Sequence, residues 1–356
     1  MKMTTHVLDQ WHRQSFTTFL LVPFSWIFRG VTLLRRFWYT RIKKPVAFNV
    51  PVIVVGNITV GGTGKTPLVA WLVEYLKKQG FTPGIVIRGY KGRLPSNVIK
   101  QVQADTCSSL VGDEAVLLYQ KTRVPVVVGQ NRVKAAQYLL KHCKKVDVII
   151  SDDGLQHYAL ARDIEIAVID GQRRLGNGFC LPAGPLRERP ARLKSVDFVV
   201  VNGVAQENEY AMRAHLGETV QQVNWPHQIQ PLANFKGKRV HAVAGIGNPD
   251  RFFNMLRAQG IELVEHVFSD HHRFVKADIL FTENIPILMT EKDAVKCRNI
   301  ATNKVWSVPL AVELPPVFCE QLLWRLADGQ EVTRNISLSN LQAAAPVQER
   351  EERVDL

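Results

Sequence analysis

The sequence predicts an α/β protein: a mostly parallel, doubly wound sheet, joined to a second, smaller α/β domain and preceded by an N-terminal amphipathic helix that associates with a membrane. Three observations predict it. An apolar stripe at helical spacing opens the chain, a glycine-rich turn stands between a β-branched run and a helix from Val55 to Gly80, and short β-rich runs alternate with helical stretches downstream.

The first element carries no charge between Arg13 and Arg29. Phe16, Leu20, Phe24, Ile27, Val31, Leu34 and Trp38 follow at three- and four-residue steps and share one helical face, with Thr18, Ser25, Arg29, Thr32 and Arg36 on the other. The uncharged run is shorter than the roughly 20 residues that span a bilayer and contains Pro23, so the expectation is a helix lying in the membrane interface. Arg35, Arg36, Arg41, Lys43 and Lys44 would each add about 1 kcal/mol against an anionic membrane surface. No small-residue cleavage site follows, which argues against a signal peptide. The competing reading is a core helix docked on the domain.

The second element is a phosphate cradle of the P-loop type. Pro51 to Val55 reads as a buried strand, and Gly56 opens a loop that leads through Thr59, Val60, Gly61, Gly62, Thr63, Gly64, Lys65 and Thr66 into a helix ending near Gly80. Glycines let backbone N–H groups turn inward around an anion, Lys65 adds a point charge for the β and γ phosphates, and Thr66 offers a hydroxyl to Mg²⁺. Pro67 fits the first helical turn, where no N–H is needed. The pattern departs once, with Thr59 where a glycine is usual.

Further along, Gly84 to Ile87, Val124 to Val128, Val146 to Ile150, Ile164 to Ile169 and Val196 to Val201 read as strands, with Arg132 to His142 as a helix. Ligands of such a sheet gather at the carboxyl ends of its strands. Asp152 and Asp153 follow one strand, where carboxylates can organise Mg²⁺ opposite the phosphates, although Asp-Asp-Gly alone is also a turn signal. Asp113 and Glu114 open a helix, a position that favours acids in any case. Arg239 to Ala244 as a strand, Asp250 to Gln259 as a helix, and strands near Ile285 to Met289 and Val305 to Val308 make the smaller unit. Gly245 and Gly247 resemble a dinucleotide fingerprint, but Asp250 takes the third glycine position.

The chain has 356 residues and a formal charge of +13, which points to an anionic partner. No nucleic-acid-reading motif or aromatic platform accompanies the basic residues, so nucleic acid is not expected. Five scattered cysteines indicate reduced thiols rather than disulfides or zinc.

The ordered segments GNITVGGTGKTP, RGYKGR, VGDEA, SDDGLQH, LPAGPLRE, VAGIGNPDRFF, FSDHHRF and TEKDAVK, spread from Gly56 to Lys296, resemble the tetraacyldisaccharide 4'-kinase family of lipid A biosynthesis. The resemblance implies a phosphotransferase acting on an alcohol group, with ATP and Mg²⁺ as cofactors and an acylated disaccharide 1-phosphate as lipid substrate. It implies the cytoplasmic face of the bacterial inner membrane, in a peripheral or monotopic arrangement. It makes Asp113 the catalytic carboxylate and His271 its partner, with Lys65 on the phosphates, Thr66, Glu114, Asp152 and Asp153 on the metal side, and Arg187 and Glu188 near substrate or metal. Without the resemblance His271 reads as a surface or capping histidine, with His272 beside it. TEKDAVK also resembles a guanine-reading motif, but Lys292 and Asp293 are adjacent where that motif needs a spacer, so ATP is expected.

The expected division is 1–48 for the helix and basic linker, 49–232 for the P-loop kinase domain, 233–335 for the smaller domain and 336–356 for a disordered tail. A rival reading is a membrane-associated P-loop ATPase that switches a protein partner, though no segment identifies such a partner.

Overall fold

The computed structural model describes residue 11 and residues 16–328. Helix α1 (Phe16–Phe37) runs through Pro23 without a break and ends in a π turn, Trp38–Ile42. A proline inside a helix removes one i to i−4 bond, and here the exposed helix absorbs that loss.

The larger sheet has nine strands in the order β15-β8-β7-β6-β1-β5-β2-β4-β3. These are β1 (Val52–Gly56), β2 (Pro83–Ile87), β3 (Lys100–Gln101), β4 (Val126–Val128), β5 (Val148–Asp152), β6 (Ile164–Asp170), β7 (Phe198–Asn202), β8 (Tyr210–Leu216) and β15 (Leu310–Glu313). All pairs are parallel except β3 with β4 and β8 with β15 at the two edges. Both faces are covered, so β1 is buried throughout and reads as one apolar run. Its alternate residues serve two cores. Ile53 and Val55 pack with Leu68, Leu72 and Leu76 of α2 (Lys65–Lys78), while Val52 and Val54 pack with the side that holds Ala135, Ala136 and Leu139. The last three belong to α5 (Arg132–His142), which follows α3 (Ser108–Val111) and α4 (Asp113–Thr122).

The smaller sheet has six strands in the order β10-β9-β14-β13-β11-β12. They are β9 (Thr219–Gln222), β10 (Ile229–Pro231), β11 (Arg239–Ala244), β12 (Glu262–Val267), β13 (Ile287–Thr290) and β14 (Val305–Val308), accompanied by α6 (Pro249–Ala258) and α7 (Glu291–Cys297). β12, β11, β13 and β14 are parallel, and β9 and β10 close one edge antiparallel.

Strand content and domain boundary part company at two places. β9 and β10 precede residue 233 yet lie in the smaller sheet. β15 and helix α8 (316–328) return to the larger one, where Phe318, Leu322 and Leu326 join its core. Local hydrophobic pattern names a strand but not the sheet it enters, which is why the expected 233–335 unit is displaced. The expected tail at 336–356 lies outside the described residues.

Candidate active site

The cradle follows β1, the strand seated between β5 and β6. Gly61 and Gly64 take φ of 103° and 97°, the left-handed region that glycine enters without strain. Gly64 also caps α2, and a Cβ there would lie 2.6 Å from Asn202 Nδ2. The cradle is braced from behind. Val60 N donates to Pro185 O (2.8 Å), Arg187 N to Ile58 O (2.6 Å), and Asn202 Nδ2 to Thr63 O (3.3 Å). Thr59 forms an antiparallel bridge with Leu186. An extended bridge residue needs no positive φ, so threonine is tolerated where the usual pattern has glycine.

Asp152 is the last residue of β5, paired with Val55, rather than beyond the strand, and Asp153 then turns the chain with φ of 49°. Lys65 Nζ lies 3.5 Å from Asp153 Oδ1, and Arg187 Nη1 donates to both oxygens of Asp153 at 3.0 and 3.1 Å. Burial would raise the Asp153 carboxyl, but Lys65 and Arg187 overcome it and hold the group at about 2. Asp152 is the opposite case. Burial, then Glu114, push it up to about 7 against the pull of Lys65, and its Oδ1 is buried with no hydrogen-bond partner. Arg132, a buried cation, donates to the backbone carbonyls of Gly129 (3.0 Å) and Asp152 (3.2 Å) and stiffens this strand end.

Asp113 and His271 come from opposite sheets and meet. Gly112, at φ of 90°, swings the chain so that Asp113 begins α4, and His271 sits at φ of 61° after β12, its N–H on Gly245 O at 3.3 Å. His271 Nδ1 lies 3.1 and 2.9 Å from Asp113 Oδ1 and Oδ2, with both side chains buried. Burial raises the Asp113 carboxyl, but the His271 hydrogen bond and the charges of Lys292 and Lys296 keep it below the usual range. His272 is engaged elsewhere, on Asp278 Oδ2 at 2.9 Å.

Lys292 is the group that sequence reasoning missed. Its Nζ lies 3.2 Å from Glu114 Oε1, 3.3 Å from Asp270 Oδ1 and 3.3 Å from His271 Nε2. The only sequence signal was its place in TEKDAVK, where the adjacent Asp293 is fully buried and accepts from Gly245 N (2.8 Å) and Lys296 (2.6 Å). Tyr90, of the RGYKGR segment, meets the His271 ring edge to face at 5.4 Å. Glu188 turns inward: its carboxylate accepts from Gln156 (2.8 Å) and Tyr158 and pairs with Arg192 at 3.5 Å. Arg187 therefore faces the site, whereas Glu188 holds the loop behind it.

Among the described residues no three His, Cys, Asp or Glu side chains form a metal cage. Mg²⁺ does not require one, since it keeps waters and takes one or two carboxylates beside substrate phosphates. The buried, unpartnered Asp152 oxygen suits such an ion, while both Asp153 oxygens are already on Arg187.

The family model described as tetraacyldisaccharide-1-P 4'-kinase matches residues 17–327. The chain is similar to the tetraacyldisaccharide 4'-kinase of Nitrosococcus oceani, 46% identical over 331 residues that cover 93% of this chain and 97% of that protein. It is similar to that of Stenotrophomonas maltophilia, 50% identical over 322 residues covering 86% and 91%. The crystal structure of LpxK from Aquifex aeolicus in complex with ATP superposes with a TM-score of 0.73 at 27% identity, covering 87% of this chain and 99% of that one.

Proposed function

The chain belongs to the tetraacyldisaccharide-1-P 4'-kinase family, and from that premise we propose how its residues divide the reaction. It is a phosphotransferase with an alcohol acceptor, phosphorylating the 4'-hydroxyl of a tetraacylated glucosamine disaccharide 1-phosphate in lipid A biosynthesis. A switch ATPase acting on a protein partner is not the activity of this family.

The γ-phosphoryl of ATP is held by the amides of residues 59–66 and by Lys65, which leaves Asp153 for the incoming phosphates. Thr66, Glu114, Asp152 and Asp153 are the candidate residues that would hold Mg²⁺, Asp152 the best suited of them, and the ion when bound would neutralise charge on the triphosphate. The 4'-oxygen forms its bond to the γ-phosphorus as the bond to the β,γ-bridging oxygen breaks, releasing ADP. The hydroxyl proton passes to Asp113, whose carboxylate Lys292 keeps ionised and His271 orients and relieves. The single observation that carries this assignment is the Asp113–His271 pair made across the two sheets, beside a carboxylate, Glu114, whose charge reaches Asp152.

The test is transfer of label from γ-labelled ATP to a detergent-dispersed lipid acceptor. Asp113→Ala and His271→Ala should retain ATP binding and lose turnover. Equal turnover in wild type and both variants refutes the pair.

We also propose that α1 seats the enzyme on the cytoplasmic face of the inner membrane, where ATP is supplied. Support comes from the direction of its faces: Leu20, Phe24, Ile27, Val31 and Leu34 point outward at 58 to 70% exposure, while Thr18 and Ser25 face the protein. Outward apolar faces of this size mark a lipid or partner surface. The neighbouring Arg35, Arg36, Arg41, Lys43 and Lys44 suit anionic headgroups. By length and composition alone Thr18–Ile42 would also cross a bilayer.

A further inference from the structure

The turn that links β6 to the LPAGPLRE segment carries two adjacent arginines, Arg173 and Arg174, with different tasks. Arg174, at φ of 46°, is an anchor: it grips Glu209 with bonds of 2.9 and 2.7 Å and Gln206 at 2.8 Å. Asp170 Oδ1, at the end of β6, accepts from the N–H groups of Gln172 (3.0 Å) and Arg173 (2.9 Å), which fixes the backbone. Arg173 is thus presented from a rigid base. Its Nη2 donates to Gly247 O at 2.6 Å, in the glycine turn of the smaller sheet. A Cβ on Gly61 would stand 3.7 Å from its Nη1, and neither Nη1 nor Nε has a hydrogen-bond partner among the described residues.

The turn it holds sits on the cradle itself. A Cβ on Gly247 would be 3.2 Å from Gly62 N, a tight contact that glycine at 247 avoids, so the turn approaches the cradle closely. Asn248 Nδ2 to Gln172 Oε1 at 3.4 Å makes a second, weaker tie. The other end of the same turn is Gly245, whose carbonyl accepts the His271 N–H at 3.3 Å. Cradle, Arg173, glycine turn, His271 and Asp113 are therefore contiguous.

We propose that Arg173 is a further phosphate-binding residue, one that joins the β and γ phosphates over Gly61 and Gly62 to the glycine turn that holds His271 against Asp113. A planar guanidinium can bind a carbonyl with one nitrogen and a phosphate oxygen with others, which an ammonium cannot do in the same geometry. An arginine placed at the transferring phosphoryl stabilises charge that develops in the transition state. Triphosphate in the cradle and the position of the base are thereby coupled through one side chain. The proposal rests on the kinase reading above.

The test uses the full-length enzyme in detergent with Mg²⁺, ATP and the lipid acceptor. Lipid phosphorylation by wild type tests the kinase reading, and the variants test Arg173. Arg173→Ala should keep ATP affinity within about fivefold while kcat falls on the order of 10²-fold or more, with partial recovery when free guanidinium is added. Arg173→Lys, which retains stem and charge and covers the case of a poorly folding alanine variant, should still lose about tenfold in kcat at an unchanged melting temperature. Wild-type kcat in either variant overturns the proposal. So does a parallel loss of ATP affinity and kcat in Arg173→Ala that guanidinium does not relieve, because that is the signature of a residue that only holds structure.

Discussion

At the residue scale, two ionisable groups make the site's behaviour with pH calculable in sign. Lys292 touches Glu114, Asp270 and His271, and its charge is one of the forces that hold Asp113 below the normal carboxylate range against burial. Replacing it with methionine removes that pull, so the Asp113 carboxyl rises. The acid limb of kcat/KM should then move to higher pH in Lys292→Met. Superimposable profiles for the variant and wild type would show that Lys292 does not act on the base. His157 works on stability instead. Burial and the nearby Arg132 and Arg162 depress its imidazole to about 4, so the unfolded chain binds a proton below its ordinary value near 6.5 while the folded chain resists until about 4. Its contribution to stability is present above that ordinary value and is lost as pH falls toward the folded one. In His157→Gln the loss of denaturant stability between neutral pH and pH 5 should shrink, on the order of 1 kcal/mol after allowing for partial exposure. Both residues stand in segments the sequence marked, yet neither role was legible there. Lys292 and Glu114 lie 178 positions apart, and charge pairing at that separation is a product of the fold.

Elements were more readable than residues, and α1 shows both the reach and the limit of a periodic pattern. The stripe of Leu20, Phe24, Ile27, Val31 and Leu34 was visible from spacing alone, but a stripe fits a protein core and a lipid surface equally well. The structure gives its direction: the polar face is the one that docks, with Ser25 Oγ donating to the buried Cys180 carbonyl at 2.8 Å. This inversion yields two separable outcomes. Changing Ile27, Val31 and Leu34 together to glutamine should leave the melting temperature within about 2 °C, because exposed side chains add little to folding, while flotation with anionic vesicles falls sharply. Ser25→Ala should do the reverse, costing about 1 kcal/mol for the orphaned carbonyl and sparing vesicle binding. Vesicle flotation unchanged in the triple variant would remove the membrane role of this face. Strand ends were harder to read than helix faces. Asp152 read as lying just beyond the strand because the apolar run of Val146 to Ile150 ends before it, but its backbone still pairs with Val55. Side-chain polarity marks where burial ends, whereas pairing marks where the strand ends.

The whole molecule is a nine-stranded sheet interrupted late by a complete second sheet. β8 ends at Leu216 and β15 begins at Leu310, and these two residues are antiparallel partners; Gly217 N also donates to Pro309 O at 2.8 Å. The chain thus leaves and re-enters the larger unit at one point, as an insertion does when its two ends are neighbours. Sequence reading recovered both units but drew a linear boundary between them, because alternation of strands and helices carries no record of which edge the chain rejoins. The helix at 316–328 supplies the proof of re-entry, since Phe318 is fully buried beside Phe198 and Tyr210 at ring distances of 5.1 and 5.3 Å. Phe318→Ala should therefore destabilise the nucleotide-binding unit by about 3–5 kcal/mol, although it lies near the far end of the described chain. A sharper consequence follows for the insertion itself. Replacing residues 218–308 with a short glycine turn between Gly217 and Pro309 keeps β8 and β15 in register, preserves every strand of the larger sheet, and removes His271, Lys292 and Gly247. Such a protein should be soluble, bind ATP by calorimetry with reduced affinity, and transfer no phosphate to the lipid acceptor. Loss of cooperative unfolding and of ATP binding in that variant would mean that the smaller sheet is needed to fold the larger one, and the description as an insertion would fail.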